Sequence, residues 1–241
     1  VTNPNPAAGG RDGDTVEELR ENSLRSFSEQ GRTVTLQDYA VRALSLPAQY
    51  GSIAKAYVVQ EQLANSNIDF KSLDSYNPFA ISLYVLGYNN ETKLINASTI
   101  LKQNLKTYLS EYIMLSDSVN IKDAFIVNIG IDYEITLRPN YSSRDVIFQC
   151  NNALKEYFKV SKRSINQPIN IASVTTLLDK IKGVQTVQKV SIPNKVGGTY
   201  SQYAYDTQGA TKNNVVYPSF DPCIFEIKYP DQDIKGRVTV L

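Results

Sequence analysis

In the middle of the chain apolar Phe125, Val127, Ile129, Ile131, Tyr133, Ile135 and Leu137 are interleaved with Asn128, Asp132, Glu134, Thr136 and, beyond them, Arg138. A period of two over that length predicts a strand with one face in a core and the other toward water or a partner. Other stretches follow the helical period. Val16, Leu19, Ser23 and Phe27 predict a helix that starts at Thr15 and stops at Gly31. Thr15-Val16-Glu17-Glu18 and Thr35-Leu36-Gln37-Asp38 both have capping-box spacing, and the second opens a short helix through Tyr39, Ala43 and Leu44 that ends near Pro47. Leu94, Ser98, Leu101, Leu105, Tyr108 and Tyr112 share one face of a further helix, whose other side carries Lys93, Gln103, Asn104 and Lys106. Arg138-Pro139-Asn140-Tyr141 closes the long strand, and Ser142 or Ser143 caps a helix reaching to about Lys159. After Pro168 another helix turns Ile171, Val174, Leu177, Leu178 and Ile181 inward and ends at Gly183.

Ile53 to Gln60, Ile81 to Tyr88 and Val184 to Ile192 complete the main strands. The texture changes after Pro193, where Gly197-Gly198, Tyr200, Tyr203, Tyr205 and Gly209 lie in a polar loop without periodicity. Such a loop is either mobile or ordered by a partner. Val215 to Tyr217, Cys223 to Tyr229 and Arg237 to Leu241 read as short strands, which Pro218, Pro222 and Pro230 confine to edges or arms. The order of elements predicts an α+β fold: a helical N-terminal segment, a ferredoxin-like α/β layer with a mainly antiparallel sheet, and a C-terminal β arm. The expected divisions are 1–70, a capped-helix segment plus strand; 71–192, a sandwich-like α+β domain; and 193–241, a loop and short strands forming an interface arm.

Composition narrows the chemistry. A hydrophobic share of 42% in 241 residues is enough for a real core, and 25 basic against 24 acidic residues leave a charge of +1. No global field draws the protein to nucleic acid or to an anionic membrane, and no apolar run approaches the roughly 20 residues needed to span a bilayer. Association therefore rests on shape and local contacts. Histidine is absent, which removes the commonest general base and metal ligand and leaves an enzyme only Asp, Glu, Lys or Tyr to work with. Cys150 falls in an apolar helical stripe with Val146, Ile147, Leu154 and Phe158 and reads as a small buried hydrophobe, while a disulfide to Cys223 stays open. The chain begins with Val1 and its one methionine is Met114, so a fragment or a processed chain is expected.

Asp12, Asp14, Glu17 and Glu18 form the dense acidic cluster, but they lack the further ligands and the closing glutamate of a calcium loop and suit a helix N-terminus without metal. Gly9-Gly10 lacks the Gly-Lys-Ser/Thr ending of a phosphate-binding loop. The expectation is no catalytic residue, no cofactor and no metal site. The sequons at Asn90, Asn96 and Asn140 read as chance matches. Tyr108, Tyr112, Tyr133 and Tyr157 sit at core-like positions. Tyr200, Tyr203, Tyr205, Tyr217, Phe220 and Phe225 are the candidates for a protein interface, where aromatic residues are favoured.

The succession of motifs resembles the baseplate J-like family of contractile phage tails. Asn3-Pro4, Gly9-Gly10-Arg11-Asp12-Gly13-Asp14, the segment Thr15 to Gln30, Arg32-Thr33-Val34-Thr35 and Asp38-Tyr39 carry the first part. The second part is carried by Ile131-Asp132-Tyr133-Glu134-Ile135, Arg138-Pro139, Leu154-Lys155-Glu156-Tyr157-Phe158, Ile169-Asn170-Ile171-Ala172 and Ile181-Lys182-Gly183-Val184. Each motif is loose, and their order carries the likeness; the last fifty or so residues depart from the pattern. The wording is most similar to the C-terminal part of the baseplate wedge subunits of T4-like phages. The resemblance implies a structural virion protein, assembled in the host cytoplasm, that associates with itself and with other wedge proteins in a ring around the tail hub. A receptor- or glycan-binding tail module without catalysis is the alternative.

Overall fold

The computed structural model describes residues 33–60, 80–89, 93–114 and 117–239, together with Val16 and Arg20 in helical conformation. The remainder of the helix expected from Thr15, the Gly9 to Asp14 turn and the acidic cluster lie outside the described residues. The chain forms two compact units that divide between Ala124 and Phe125.

The first unit opens with α1 (Leu36–Leu44), and the capping box expected there is present. Thr35 Oγ1 accepts from the Asp38 N–H at 3.2 Å, and the Asp38 carboxylate accepts from the N–H groups of Thr35 at 2.7 Å and Val34 at 3.0 Å. Behind it Tyr39 is buried and its hydroxyl donates to Asp117 at 2.5 Å. Strand β1 (Ile53–Gln60) pairs antiparallel with β2 (Ala80–Tyr88), whose other side meets the short β3 (Leu94–Asn96), and β2 also pairs in parallel with β4 (Ser118–Asp123). Strands on either side of the boundary expected near residue 70 thus share one sheet. Leu94 to Asn96 were expected to begin a helix; their backbone is instead held by Leu86 to Tyr88, and helix α2 (Thr99–Leu109) starts where Ser98 caps the Leu101 N–H at 3.2 Å. Leu105 and Leu109 of α2 close over Ala43, Ile53, Leu83 and Val85.

In the second unit the long alternating segment is two strands, β5 (Phe125–Asn128) and β6 (Ile131–Leu137). The interruption has a cause remote in sequence: a side chain at Gly130 would meet the Asp233 carbonyl at 3.0 Å and Lys195 at 2.9 Å, and the Gly130 N–H leaves the ladder to donate to Pro193 O at 2.8 Å. Helix α3 (Ser143–Tyr157), the short β7 (Ile169–Asn170), helix α4 (Ile171–Asp179) and β8 (Val184–Ser191) follow. Val146, Cys150 and Leu154 from α3, with Val174 and Leu178 from α4, bury Ile131, Tyr133 and Ile135 of β6. One sheet face is thus covered by helices, as the α+β class requires.

The rest of the chain returns to these strands. β9 (Thr211–Lys212) and β10 (Val215–Val216) form a hairpin around Asn213 and Asn214, both with positive φ, the backbone of a tight two-residue hairpin turn. β10 is central, between β7 and β9, although a place at an edge or in an arm was expected for it. β11 (Cys223–Glu226) pairs in parallel with β5; after the single helical turn α5 (Pro230–Asp233), β12 (Ile234–Val238) pairs in parallel with β6, on the side opposite β8. The β6–β8 ladder shifts register twice, leaving Gln188 and Gln185 of β8 as extra residues, a bulged geometry that discourages a further strand from adding to that edge. Both cysteines are buried free thiols.

Candidate protein interface

The loop from Pro193 to Ala210 is held by its own unit. Asn128 anchors it: its carbonyl accepts from the Lys195 N–H at 2.8 Å, and its side-chain oxygen accepts from the Ser201 N–H at 2.7 Å. The Asn128 side chain in turn donates to the Glu226 carboxylate at 3.0 Å, a pair set directly opposite on β5 and β11 and fully buried. Thr207 donates to Ile192 O at 2.6 Å and Lys228 to Thr199 O at 2.5 Å. Gly197 and Gly198, with φ of 82° and 61°, supply the left-handed backbone that lets the loop turn back on itself.

This anchoring sorts the six aromatic candidates. Phe225 belongs to the core, 3% exposed, because β11 is covered on both faces. Tyr200 is half-buried; its hydroxyl donates to Asp233 at 2.7 Å, the main cause that pushes its pKa up to about 12, and its ring meets Tyr229 edge-on. Tyr205 is also half-buried: it lies against Phe225, donates to Tyr217 O at 2.5 Å, and burial raises its pKa. Tyr203, Tyr217 and Phe220 face outward, 43%, 48% and 107% exposed. Tyr203 is braced edge-on against Phe125 at 4.6 Å. Phe220 stands at the tip of the turn between Pro218 and Pro222, whose two ends are tied down by Tyr217 N to Ala210 O at 3.2 Å and Phe125 N to Pro222 O at 2.9 Å. The result is a large apolar side chain wholly in water on a braced turn.

Sequence reasoning passed over Asn128, Glu226 and Asp233. Asn128 occupies a polar position of the alternating segment, yet it is 1% exposed; nothing local distinguishes it from Asp132 or Glu134, because its partners come from residues 195–201 and 226. This unit carries several concave features. One of about 260 Å³ lies on the sheet face lined by Asp132, Tyr133, Glu134, Lys189, Ser191, Lys235 and Arg237, and one of about 310 Å³ is lined by Ile171, Val190, Ile192, Pro193 and Val216 among others. Among the described residues no three His, Cys, Asp or Glu side chains are grouped to hold a metal ion, and no helix is long and apolar enough to cross a membrane.

No family model matches the chain, and no curated protein matches it. Among solved structures it is similar, with 12% identity and a TM-score of 0.48, to a chain of a structure described as "Cryo-EM structure of the anti-feeding prophage (AFP) baseplate, 6-fold symmetrised". The similarity covers 94% of this chain and 42% of that one, so this chain spans less than half of its length.

Proposed function

We propose that this chain is a non-catalytic structural subunit of a contractile-tail baseplate, which self-associates and joins neighbouring wedges into a ring around the tail hub. The order of motifs along the sequence supports the reading, and one structural observation carries its mechanism: Phe220, fully exposed on a tied-down turn, flanked by outward-facing Tyr217 and with Tyr203 braced on Phe125. Aromatic residues supply large contact area at low conformational cost and are enriched among interface anchors. Because the turn is ordered before contact, little freedom is lost when it docks.

Sedimentation of the chain over a wide concentration range tests this. The expected result is association that survives moderate salt and weakens by about tenfold or more in Phe220→Ser, since anchor truncations cost on the order of 2 kcal/mol. A wild-type chain that stays monomeric at every concentration, or an oligomer indifferent to Phe220→Ser and Tyr217→Ser together, overturns the aromatic self-contact. Binding of a sugar that those same substitutions abolish would favour the receptor-module reading.

A further inference from the structure

The sheet face turned away from α3 and α4 carries its charge in rows. The central strand β6 contributes Asp132 and Glu134, both half-buried in the floor of the 260 Å³ depression, and β12 contributes Lys235 and Arg237, both exposed. The parallel register sets Lys235 level with Asp132 and Arg237 level with Glu134, and on the other flank Lys189 of β8 is level with Glu134. Opposite charges on adjacent strands commonly pair. Here, among the described residues, none of these five side chains makes an ion pair or hydrogen bond.

Such a pattern is complementary to itself. A two-fold axis parallel to the strands, running between β6 and β12, lays the β6 of one copy over the β12 of the other without moving anything along the strand direction. Because the register already places the acids level with the bases, every carboxylate then faces a cation of the other copy at the same height. Stacked sheet faces lie about 10 Å apart, a gap that lysine and arginine stems can span from both sides. We propose that this face is a salt-labile contact between two copies of the chain, in which Asp132 and Glu134 meet the partner's Lys235 and the partner's Arg237, and reciprocally. Charge complementarity selects the second copy: a uniformly acidic partner would meet the two carboxylates in the floor, and a uniformly basic one the three cations around it. The contact is isologous. It rests on the reading of the chain as a self-associating subunit, and uses a surface other than the aromatic one. Exposed ion pairs contribute little singly and are screened by salt, so the contact is secondary and reversible.

The test is charge exchange in the full chain. One variant carries Asp132→Lys with Glu134→Lys, and the other Lys235→Glu with Arg237→Glu; circular dichroism checks that each folds, and Asp132→Asn with Glu134→Gln replaces the first if it does not. Sedimentation is followed at about 0.05 M and about 0.5 M salt, which brackets strong and weak screening. The expected outcome is a salt-sensitive part of the wild-type association, its Kd rising at least about tenfold at high salt, loss of that salt-sensitive part in each reversed variant alone, and its recovery in their equimolar mixture. If the neutral variant stands in, low-salt association should likewise fall. Association at low salt unchanged by the substitutions, a mixture that does not recover, or a wild type that is monomeric at low salt overturns the proposal. Salt-resistant association lost in Phe220→Ser but indifferent to the charge variants removes this contact and leaves the aromatic self-contact standing. Recovery in the mixture together with indifference to Phe220→Ser does the reverse.

Discussion

At Gly236 a hydrogen is all that fits. A Cβ there would fall on the ring Cζ and the hydroxyl oxygen of Tyr133, one strand away in the β12–β6 pair. Tyr133 cannot give way: it is 1% exposed, and its hydroxyl donates to the Asn151 side chain of α3 at 2.7 Å. Burial raises the Tyr133 pKa and pushes the neighbouring Cys150 thiol up to about 11, so both stay protonated at neutral pH. Gly236→Ala should therefore act as overpacking and destabilise the protein by about 1–3 kcal/mol in urea unfolding. In a Tyr133→Ala background, where the ring is gone, the same change should cost much less. An equal penalty in both backgrounds would mean that backbone conformation at residue 236, and not the Tyr133 ring, excludes a side chain.

The elements differ in how local their causes are, and that decides which were legible. The box at Thr35 to Asp38 needs only neighbours in sequence, and it forms as spaced. It also carries a pH signature. Burial alone would raise the Asp38 pKa, but the N–H and hydroxyl of Thr35 and the N–H of Val34, helped by the Arg42 charge, hold it below the ordinary carboxylate value. A depressed native pKa means stability that is complete above the unfolded-state pKa and fades as pH falls through the native one. Thr35→Ala should cost about 0.5–2 kcal/mol at neutral pH. The advantage of wild type over Asp38→Asn should shrink on acidification; a difference constant with pH would sink the assignment. β1 was legible over its full length, Ile53–Gln60, from its β-branched and aromatic content. The break at Ile129-Gly130 was not, because its cause is the Asp233 carbonyl about a hundred residues on. The same holds for the site: tyrosines at 200, 203, 205 and 217 marked an aromatic region, but which of them turn inward depends on Asp233 and on the Tyr217 carbonyl, both remote in sequence.

At the scale of the molecule, the second unit is closed by its last strands. β11 and β12 supply the parallel partners of β5 and β6, and Ile224, Phe225, Ile227 and Ile234 are all buried in their unit. Four such side chains amount to roughly 6–12 kcal/mol of burial, comparable with the ~5–15 kcal/mol stability of a whole domain. A segment so placed cannot leave to pair with a neighbour without opening the core it covers. In the proposed function, therefore, the segment acts through residues it presents while seated: Phe220 on the turn before β11, and Lys235 and Arg237 on β12. The chain from Phe125 onward, produced alone, should melt in a single cooperative transition by far-UV circular dichroism, because it contains both partners of every strand pair it forms. Ending that fragment after Tyr217 should abolish the transition. A cooperative melt that survives the deletion would show that residues 218–241 are dispensable to the core, as the last part of the interface arm expected over 193–241 would be.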